Sequence, residues 1–302
     1  MNNPQSAIRN RLQSAIRNPQ LREARADAAR QLAQAEIESP HLTADLLLGH
    51  VLGWDRVRIL TDFEAALDDD AKERFAEALR RRIQGEPLQY ITGKQEFYGR
   101  TFRVSPAVLI PRPETEMLVE SAVSLAIDQK PNVRFVDIGT GSGCIAVSVA
   151  AERPGWAGWA ADVSQEALAI AHHNAIQHHV SNRLQFVCAD LLDAFLPEPA
   201  FDLILSNPPY VARRDAAMLP EIVHDHEPHL ALFSGELGLD FYLRLVPEAA
   251  ARLLPGGYLI LEVGIRQSRD VVRLIEREGL AVIKVLDDLR GIPRCVVTRK
   301  NQ

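Results

Sequence analysis

Two short loops hold the side chains from which a reaction can be inferred. The loop at residues 137–143 reads DIGTGSG, and the loop at residues 206–210 reads SNPPY. Each directly follows a short apolar run, which is typical of a buried strand. The glycine-rich loop predicts a site for a small ligand, and the Asn-Pro-Pro-Tyr loop predicts a site that grips a planar nitrogen.

The glycine-rich loop suits a ligand that lacks a pyrophosphate. Gly139, Gly141 and Gly143 let the backbone turn sharply and approach a ligand without Cβ clashes. A dinucleotide fingerprint would place its last glycine at position 144, which is Cys144. This spacing disfavours a nicotinamide dehydrogenase. The shorter rhythm, preceded by Asp137, favours S-adenosyl-L-methionine instead.

Acidic residues at the ends of the next two predicted strands extend this cofactor site. Asp162 follows the apolar run 158–161, and its carboxylate can accept hydrogen bonds from both ribose hydroxyls. Asp190 follows the run 184–188 and can accept from the adenine amine, while Leu191 can pack on the adenine ring. Helix capping is the plain alternative role for both acids.

The second loop has the groups needed to activate a planar nitrogen. Such a nitrogen is a poor nucleophile because its lone pair is delocalised, so a site must hold its hydrogens and aim the lone pair. The Asn207 side-chain oxygen and the Pro208 carbonyl can accept those hydrogens, and Pro208 with Pro209 keeps the loop rigid. The Tyr210 ring can stack on the planar group. We predict Asn207, Pro208 and Tyr210 as catalytic and residues 207–210 as substrate-binding.

These two loops together predict transfer of a methyl group to nitrogen. A sulfonium donor is already an activated electrophile, so neither a strong base nor a metal is needed. Asn-Pro-Pro is also a common turn, but its place after an apolar run and its pairing with the glycine-rich loop favour the catalytic interpretation. Two groups of histidines, at 172–179 and 224–229, lack the usual zinc spacing. No metal site is predicted.

The composition describes an ordinary globular chain and limits its partners. Of 302 residues, 47% are hydrophobic and 25% are charged, and no apolar run reaches the roughly 20 residues of a membrane span. The N-terminus lacks a secretory signal, and the isolated Cys144, Cys188 and Cys295 favour reduced thiols. We expect a cytoplasmic protein with no membrane partner. The net charge of −6 argues weakly against direct nucleic-acid binding.

The spacing of apolar and turn-forming residues divides the chain into four segments. Residues 1–20 contain QSAIRN twice and predict a leader that is either poorly ordered or a short helix. Residues 21–90 have apolar positions at three- and four-residue steps, which predicts a helical domain. Residues 91–105 predict a β-hairpin linker that turns at Gly99, and residues 106–302 form the last segment.

From about residue 130 the pattern alternates between strand and helix. Strands are predicted at 134–138, 158–162, 184–188, 201–205, 258–263, 282–286 and 295–298, and helices at 144–152 and 165–177. This alternation predicts an α/β fold with a mostly parallel sheet covered by helices on both faces. Ligands of such sheets bind beyond the carboxyl ends of the strands, where both loops fall.

Several segments together resemble the family of peptide chain release factor N5-glutamine methyltransferases (HemK/PrmC family). They are residues 46–54, RIQGEPLQYITG at 82–93, EFYG at 96–99, LIPRPETE at 109–116, VDIGTGSGCIA at 136–146, SNPPYV at 206–211, Glu227-Pro228 and PGGYLILEVG at 255–264. The resemblance covers roughly residues 20–300 and rests on all of these segments rather than on one motif.

The resemblance implies a Rossmann-like class I S-adenosylmethionine-dependent methyltransferase with an N-terminal helical bundle domain that docks the substrate. That substrate would be a class-1 peptide chain release factor, methylated on the glutamine of its Gly-Gly-Gln tripeptide, by a monomeric enzyme. The implied cofactor contacts include Gly139, Thr140, Gly141, Ser142, Gly143, Asp162 and Asn207. The implied glutamine contacts are residues 207–210. Position 191 is sometimes aromatic in the family and is leucine here, and the leader has no counterpart.

Three alternative functions share some of these features. A nucleic-acid methyltransferase acting on adenine or guanine amino groups uses a similar Asn-Pro-Pro-Tyr loop but predicts a basic recognition domain. A glutamine methyltransferase of a ribosomal protein is a closer alternative, although LIPRPETE favours the release-factor branch. A catalytically inactive binding protein would not be expected to keep both loops complete.

Overall fold

The computed structural model describes residues 21–62, 64–125 and 132–301. They form two compact units, the first ending at Thr92 and the second beginning at Gly93. The predicted leader at 1–20 lies outside the described residues.

The first unit is built from helices around its own apolar core. The helices are α1 (Leu21–Gln34), α2 (Pro40–Leu52), α3 (Arg56–Thr61), α4 (Asp69–Ile83) and α5 (Leu88–Thr92). The side chain of Asp55 caps α3 and that of Asp68 caps α4, each accepting a backbone N–H. Leu32, Leu47 and Ile59 are fully buried in the core. The prediction that this stretch is helical is confirmed.

The second unit begins with the predicted hairpin. Strands β1 (Lys94–Phe97) and β2 (Arg100–Arg103) pair antiparallel, with Phe97 opposite Arg100. The turn at Tyr98 and Gly99 has positive φ at both residues, so the predicted turn position is confirmed. Phe97 and Phe102 are fully buried in a core cluster of the second unit. The hairpin therefore packs as part of that unit.

A seven-stranded sheet forms the centre of the second unit. Its strands are β3 (Arg134–Ile138), β4 (Ala157–Asp162), β5 (Leu184–Cys188), β6 (Phe201–Ser206), β7 (Leu253–Glu262), β8 (Leu280–Asp287) and β9 (Pro293–Lys300). Their order across the sheet is β5-β4-β3-β6-β7-β9-β8. The first five are parallel, and β9 runs antiparallel to both of its neighbours.

Helices cover the sheet on both faces. They are α6 (Glu116–Val123), α7 (Cys144–Glu152), α8 (Gln165–Gln177), α9 (Glu221–His226), α10 (Asp240–Arg252) and α11 (Ser268–Arg277). Phe135 of β3 belongs to the cluster that contains residues of α6, α7 and α8. The next residue, Val136, belongs to the cluster with residues of α10 and α11. Since successive strand residues point to opposite faces, the predicted two-faced α/β architecture is confirmed.

One predicted boundary differs clearly from the structure. Strand β7 begins at Leu253 rather than at residue 258. Leu253 pairs with Phe201, and the pairing then shifts before Leu203 meets Tyr258. The extra residues between the two pairs contain Pro-Gly-Gly, which is typical of a turn, so the sequence pattern hides the start of the strand.

A cross-strand contact in this sheet requires a glycine. Gly158 lies opposite Phe135, and an added Cβ would lie 2.4 Å from the Phe135 ring. We expect Gly158→Ala to lower the free energy of unfolding by about 1–3 kcal/mol, because overpacking forces neighbours out of place. Urea unfolding would measure it. Phe135→Leu in the same chain should relieve part of the loss, and simple additivity of the two changes would contradict this account.

Candidate active site

The two loops singled out in the sequence leave the sheet side by side. Ile138 and Ser206 pair at the carboxyl ends of β3 and β6, and Ser206 Oγ donates a hydrogen bond to Ile138 O at 2.7 Å. The chain builds outward from β3 to β5 and then returns to β6, and α/β sheets bind ligands at this kind of reversal. A cavity of about 580 Å³ lies there.

Most of the predicted site residues line this cavity. Those present among its lining residues are Gly139, Thr140, Gly141, Ser142, Asp162, Asp190, Leu191, Asn207 and Pro209. Within the described part of the chain, Gly143, Pro208 and Tyr210 do not line it. Gly143 is the N-cap residue of α7, and Pro208 is buried.

The glycine-rich loop is tied to the end of β4. The Thr140 amide donates to Ala161 O at 3.0 Å, and the Gly141 amide donates to Asp162 Oδ2 at 2.9 Å. The Ser164 amide donates to the other oxygen, Oδ1, also at 2.9 Å. Burial raises the pKa of Asp162, and these backbone donors oppose the rise. The carboxylate thus stays in a fixed orientation at the cavity edge.

Bare backbone faces the cavity at two glycines. Gly139 and Gly141 have φ of 69° and 54°, and an added Cβ at either would find no atom within 4 Å. The space that side chains would occupy is open to a ligand. This cradle, beside a carboxylate that can accept further hydrogen bonds, fits the adenosyl part of S-adenosyl-L-methionine.

Asp190 and Leu191 follow β5 at the far side of the cavity. Asp190 Oδ2 accepts from the Arg244 guanidinium at 2.7 Å, and both side chains are about half exposed. Leu191 is buried at 3% exposure and has a φ of 56°. The ion pair occupies one carboxylate oxygen of Asp190. The predicted contact of that carboxylate with adenine stays a prediction.

The Asn207 side chain is held by a relay of two hydrogen bonds. Asn207 Nδ2 donates to Thr115 Oγ1 at 3.0 Å, and Thr115 Oγ1 donates to Glu262 Oε2 at 2.6 Å. Thr115 ends the 3₁₀ turn Pro113–Thr115 ahead of α6, and Glu262 is the last residue of β7. Thr115 lies in the LIPRPETE segment and Glu262 in the PGGYLILEVG segment, but neither residue was predicted as part of the site.

Tyr210 contributes to the same cluster through its hydroxyl. Tyr210 OH donates to Glu262 Oε1 at 3.2 Å, and burial raises the pKa of Tyr210. Gln267 Nε2 donates to Tyr210 O at 2.9 Å, which holds the end of the loop. The ring packs against a core cluster that includes residues of β6 and β7. Its predicted stacking on a substrate stays a prediction.

Glu262 is the carboxyl group around which this cluster is organised. It is 1% exposed, and burial raises its pKa to about 7, although the bonds from Thr115 and Tyr210 oppose the rise. A buried carboxylate is costly unless donors surround it. The two hydroxyl donors therefore keep it compatible with the interior.

A second buried carboxylate joins two walls of the cavity. Glu227 is 4% exposed. Its Oε2 accepts from the Ile110 amide at 3.2 Å, and its Oε1 accepts from the Arg112 guanidinium. Residues on both sides of this link, among them Leu109 and Pro228, line the cavity. Glu227 thus connects the segment before α6 to the segment between α9 and α10.

The described ranges contain neither a cluster of metal-ligating side chains nor a membrane-spanning helix. Across residues 21–62, 64–125 and 132–301, no group of three or more His, Cys, Asp or Glu side chains is arranged to hold a metal ion. No helix in those ranges is long and apolar enough to cross a membrane.

Two family descriptions match this chain, one in each of its two units. Residues 115–239 match the family described as "Methyltransferase small domain", and residues 23–93 match the one described as "PrmC N-terminal domain". The catalytic domain of hMettl16, solved with a MAT2A 3'UTR hairpin, shares the fold. It has a TM-score of 0.54 and 18% identity, over 73% of this chain and 81% of that chain. The fold and both loops define a class I methyltransferase, a class that uses S-adenosyl-L-methionine.

Two relatives that match this chain over nearly their whole length identify its family within this class. The release factor glutamine methyltransferase of Koribacter versatilis is 47% identical, over 93% of this chain and 98% of that protein. The protein of the same name from Nitratidesulfovibrio vulgaris is 39% identical, over 99% of this chain and 98% of that protein. The chain belongs to the release factor glutamine methyltransferase family.

A buried aspartate under the glycine-rich loop gives a pH test of this geometry. Asp137 is fully buried. Its Oδ2 accepts from Thr140 Oγ1 at 2.6 Å and from the Ala146 amide at 3.2 Å. Its Oδ1 has no partner within the described residues. Burial raises the pKa of Asp137 from 3.8 to about 7.

This shift predicts how stability depends on pH. The folded protein keeps a proton that the unfolded chain releases above its pKa of 3.8, so Asp137 lowers stability as pH rises from that value to about 7. Asp137→Asn lacks this dependence. Between pH 3.8 and about 7, the free energy of unfolding of Asp137→Asn should therefore rise relative to that of the wild type. The rise should reach up to roughly 4 kcal/mol, at about 1.36 kcal/mol per pKa unit. Urea unfolding at several pH values measures the difference, and a pH-independent difference would contradict the burial argument.

Proposed function

We propose that this protein transfers a methyl group to the side-chain amide nitrogen (N5) of a glutamine in class-1 peptide chain release factors. The target is the glutamine of their Gly-Gly-Gln tripeptide. The observation that carries the proposal is the orientation of Asn207, whose Nδ2 is bound to Thr115 while the residue lines the cavity beside the glycine-rich loop. Its Oδ1 is left to accept an N–H of the substrate amide.

The proposed donor is S-adenosyl-L-methionine, held by residues of the glycine-rich loop and by the acids that follow β4 and β5. The open backbone at Gly139 and Gly141 would admit the ligand closely, and Asp162 would accept its ribose hydroxyls. Asp190 and Leu191 would border the adenine. When bound, this cofactor supplies an electrophilic methyl group on a positively charged sulfur.

The acceptor loop would do its work by positioning hydrogens. Asn207 Oδ1 and the backbone carbonyl of Pro208, a buried residue between the lining residues Asn207 and Pro209, would accept the two hydrogens of the glutamine amide, which would turn its lone pair toward the donor methyl. The new nitrogen–carbon bond would replace the sulfur–methyl bond of the donor, which would leave as a neutral thioether, and the acidic proton on the nitrogen would pass to water. No protein base is required. Tyr210, which follows the lining residue Pro209 but does not itself line the cavity, is proposed to border the amide with its ring while its hydroxyl stays on Glu262.

Family membership supports the release factor as the protein partner, because both relatives described above are named release factor glutamine methyltransferases. We propose that the helical residues 21–90 dock the release factor. Residues 91–105 would link this docking domain to the methyltransferase domain at 106–302. The enzyme is proposed to act as a monomer in the cytoplasm. Direct nucleic-acid binding is not part of the proposal.

A substrate panel tests the proposal. Labelled S-adenosyl-L-methionine is offered with purified class-1 release factor, with the same factor whose Gly-Gly-Gln glutamine is changed to alanine, with ribosomal protein, and with duplex DNA. We expect label on the intact release factor alone. Label on ribosomal protein or DNA, with none on release factor, would reject the proposed substrate.

Substitution of Asn207 separates the acceptor site from the cofactor site. Asn207→Ala should lower methyl transfer by about 100-fold or more, because removing one group that is aimed at the reacting atoms costs on that order. Cofactor affinity, measured by calorimetry, should change only slightly.

Asp162→Ala is the matched variant on the cofactor side. It should weaken cofactor binding by roughly tenfold or more, since bonds to a charged group contribute about 1.5–3 kcal/mol. Near-normal turnover by Asn207→Ala would contradict the role given to the acceptor loop.

A further inference from the structure

We infer that Thr115 is a positioning residue that selects which end of the Asn207 amide faces the acceptor. Through this choice the site accepts only a nitrogen that still carries hydrogens. The inference rests on the proposed function for its substrate, but the orientation of Asn207 follows from hydrogen bonds within the protein. Thr115 and Asn207 are 92 positions apart in the chain.

The two ends of an asparagine amide have nearly the same shape, so the surrounding hydrogen bonds decide its orientation. Thr115 has one hydroxyl hydrogen, and it is used in the 2.6 Å bond to Glu262 Oε2. The oxygen of Thr115 can then only accept. The atom of Asn207 that faces it must therefore be a donor, which is Nδ2.

Glu262 fixes the direction of the two hydrogen bonds that run from Asn207 to Thr115 and from Thr115 to Glu262. Its Oε2 faces Thr115 and its Oε1 faces the Tyr210 hydroxyl. As a carboxylate it accepts from both hydroxyls. If it takes up a proton, that proton can lie on Oε1 and point at the Tyr210 oxygen, so Oε2 still accepts from Thr115. With a proton on Oε1, the Thr115 hydrogen points toward Glu262 just as it does when Glu262 is ionised.

The free end of the amide is then defined. In the described residues no protein group is bonded to Asn207 Oδ1, and Asn207 lines the cavity. A reversed amide would present N–H groups to the substrate and would repel an amide N–H. The relay thus turns a residue that could bind either a donor or an acceptor into one that binds a donor.

Three threonine variants test this inference by kinetics. Thr115→Val keeps the shape but removes the hydroxyl, and Thr115→Ser keeps the hydroxyl. Thr298→Val is the matched control, because Thr298 is also a fully buried threonine whose hydroxyl is bonded, to Leu259 O at 3.1 Å. It has no bond to the relay.

We expect Thr115→Val to lower kcat by about 10- to 100-fold, because small misplacements of a positioning group cost up to about 100-fold. The KM for release factor and the cofactor Kd should each change by less than about threefold. Thr115→Ser should restore most of kcat, and Thr298→Val should leave it unchanged. Wild-type kcat in Thr115→Val, or no recovery in Thr115→Ser, would overturn the inference.

A second measurement needs no substrate. In protein labelled with ¹⁵N at asparagine, the Asn207 side-chain amide signal is assigned by its loss in Asn207→Ala. Its chemical shifts should agree between wild type and Thr115→Ser, and in Thr115→Val its protons should shift and exchange faster with water. An unchanged signal in Thr115→Val would overturn the inference. Inactivity of the wild type on release factor would reject the proposed function alone.

Discussion

Strands β3 and β6 pair in parallel up to Ile138 and Ser206, and this pairing brings together loops that are far apart in the chain. Parallel neighbours end at the same edge of a sheet, so the glycine-rich loop and the acceptor loop must leave it side by side. The Ser206 hydroxyl adds a bond to Ile138 O at 2.7 Å. A cofactor and a substrate held by these loops would therefore lie next to each other.

The site also depends on carboxyl groups that the fold buries at a cost. Glu262 and Asp137 lie in the interior, where burial raises both pKa values to about 7. Such groups lower the stability of the folded state at neutral pH. Glu262 is matched by two hydroxyl donors, whereas one oxygen of Asp137 has no partner within the described residues. Buried carboxyl groups that lower stability are more typical of functional positions than of a core selected for stability.

Local patterns were sufficient to predict the positions of most strands and of both loops. The strand Arg134–Ile138 and the helix Cys144–Glu152 agree with the structure because apolar runs and glycines are signals within a few residues. The relay was not predictable in this way. Thr115 and Glu262 are 147 positions apart, and neither has a local signal that distinguishes it from an ordinary helix-start threonine or strand-end glutamate. The antiparallel direction of β9 depends likewise on packing across the sheet.

The outer edge of the sheet has a consequence for how the protein behaves in a concentrated solution. Strand β8 is the last strand, and its register with β9 shifts between Val282 and Lys284. The exposed stretch from Ile283 to Val285 carries the charge of Lys284 at its centre. An irregular edge with an exposed lysine is a poor template for a strand from another molecule. This edge of the sheet therefore resists the addition of a further strand, so two copies can approach each other along β8 without joining their sheets.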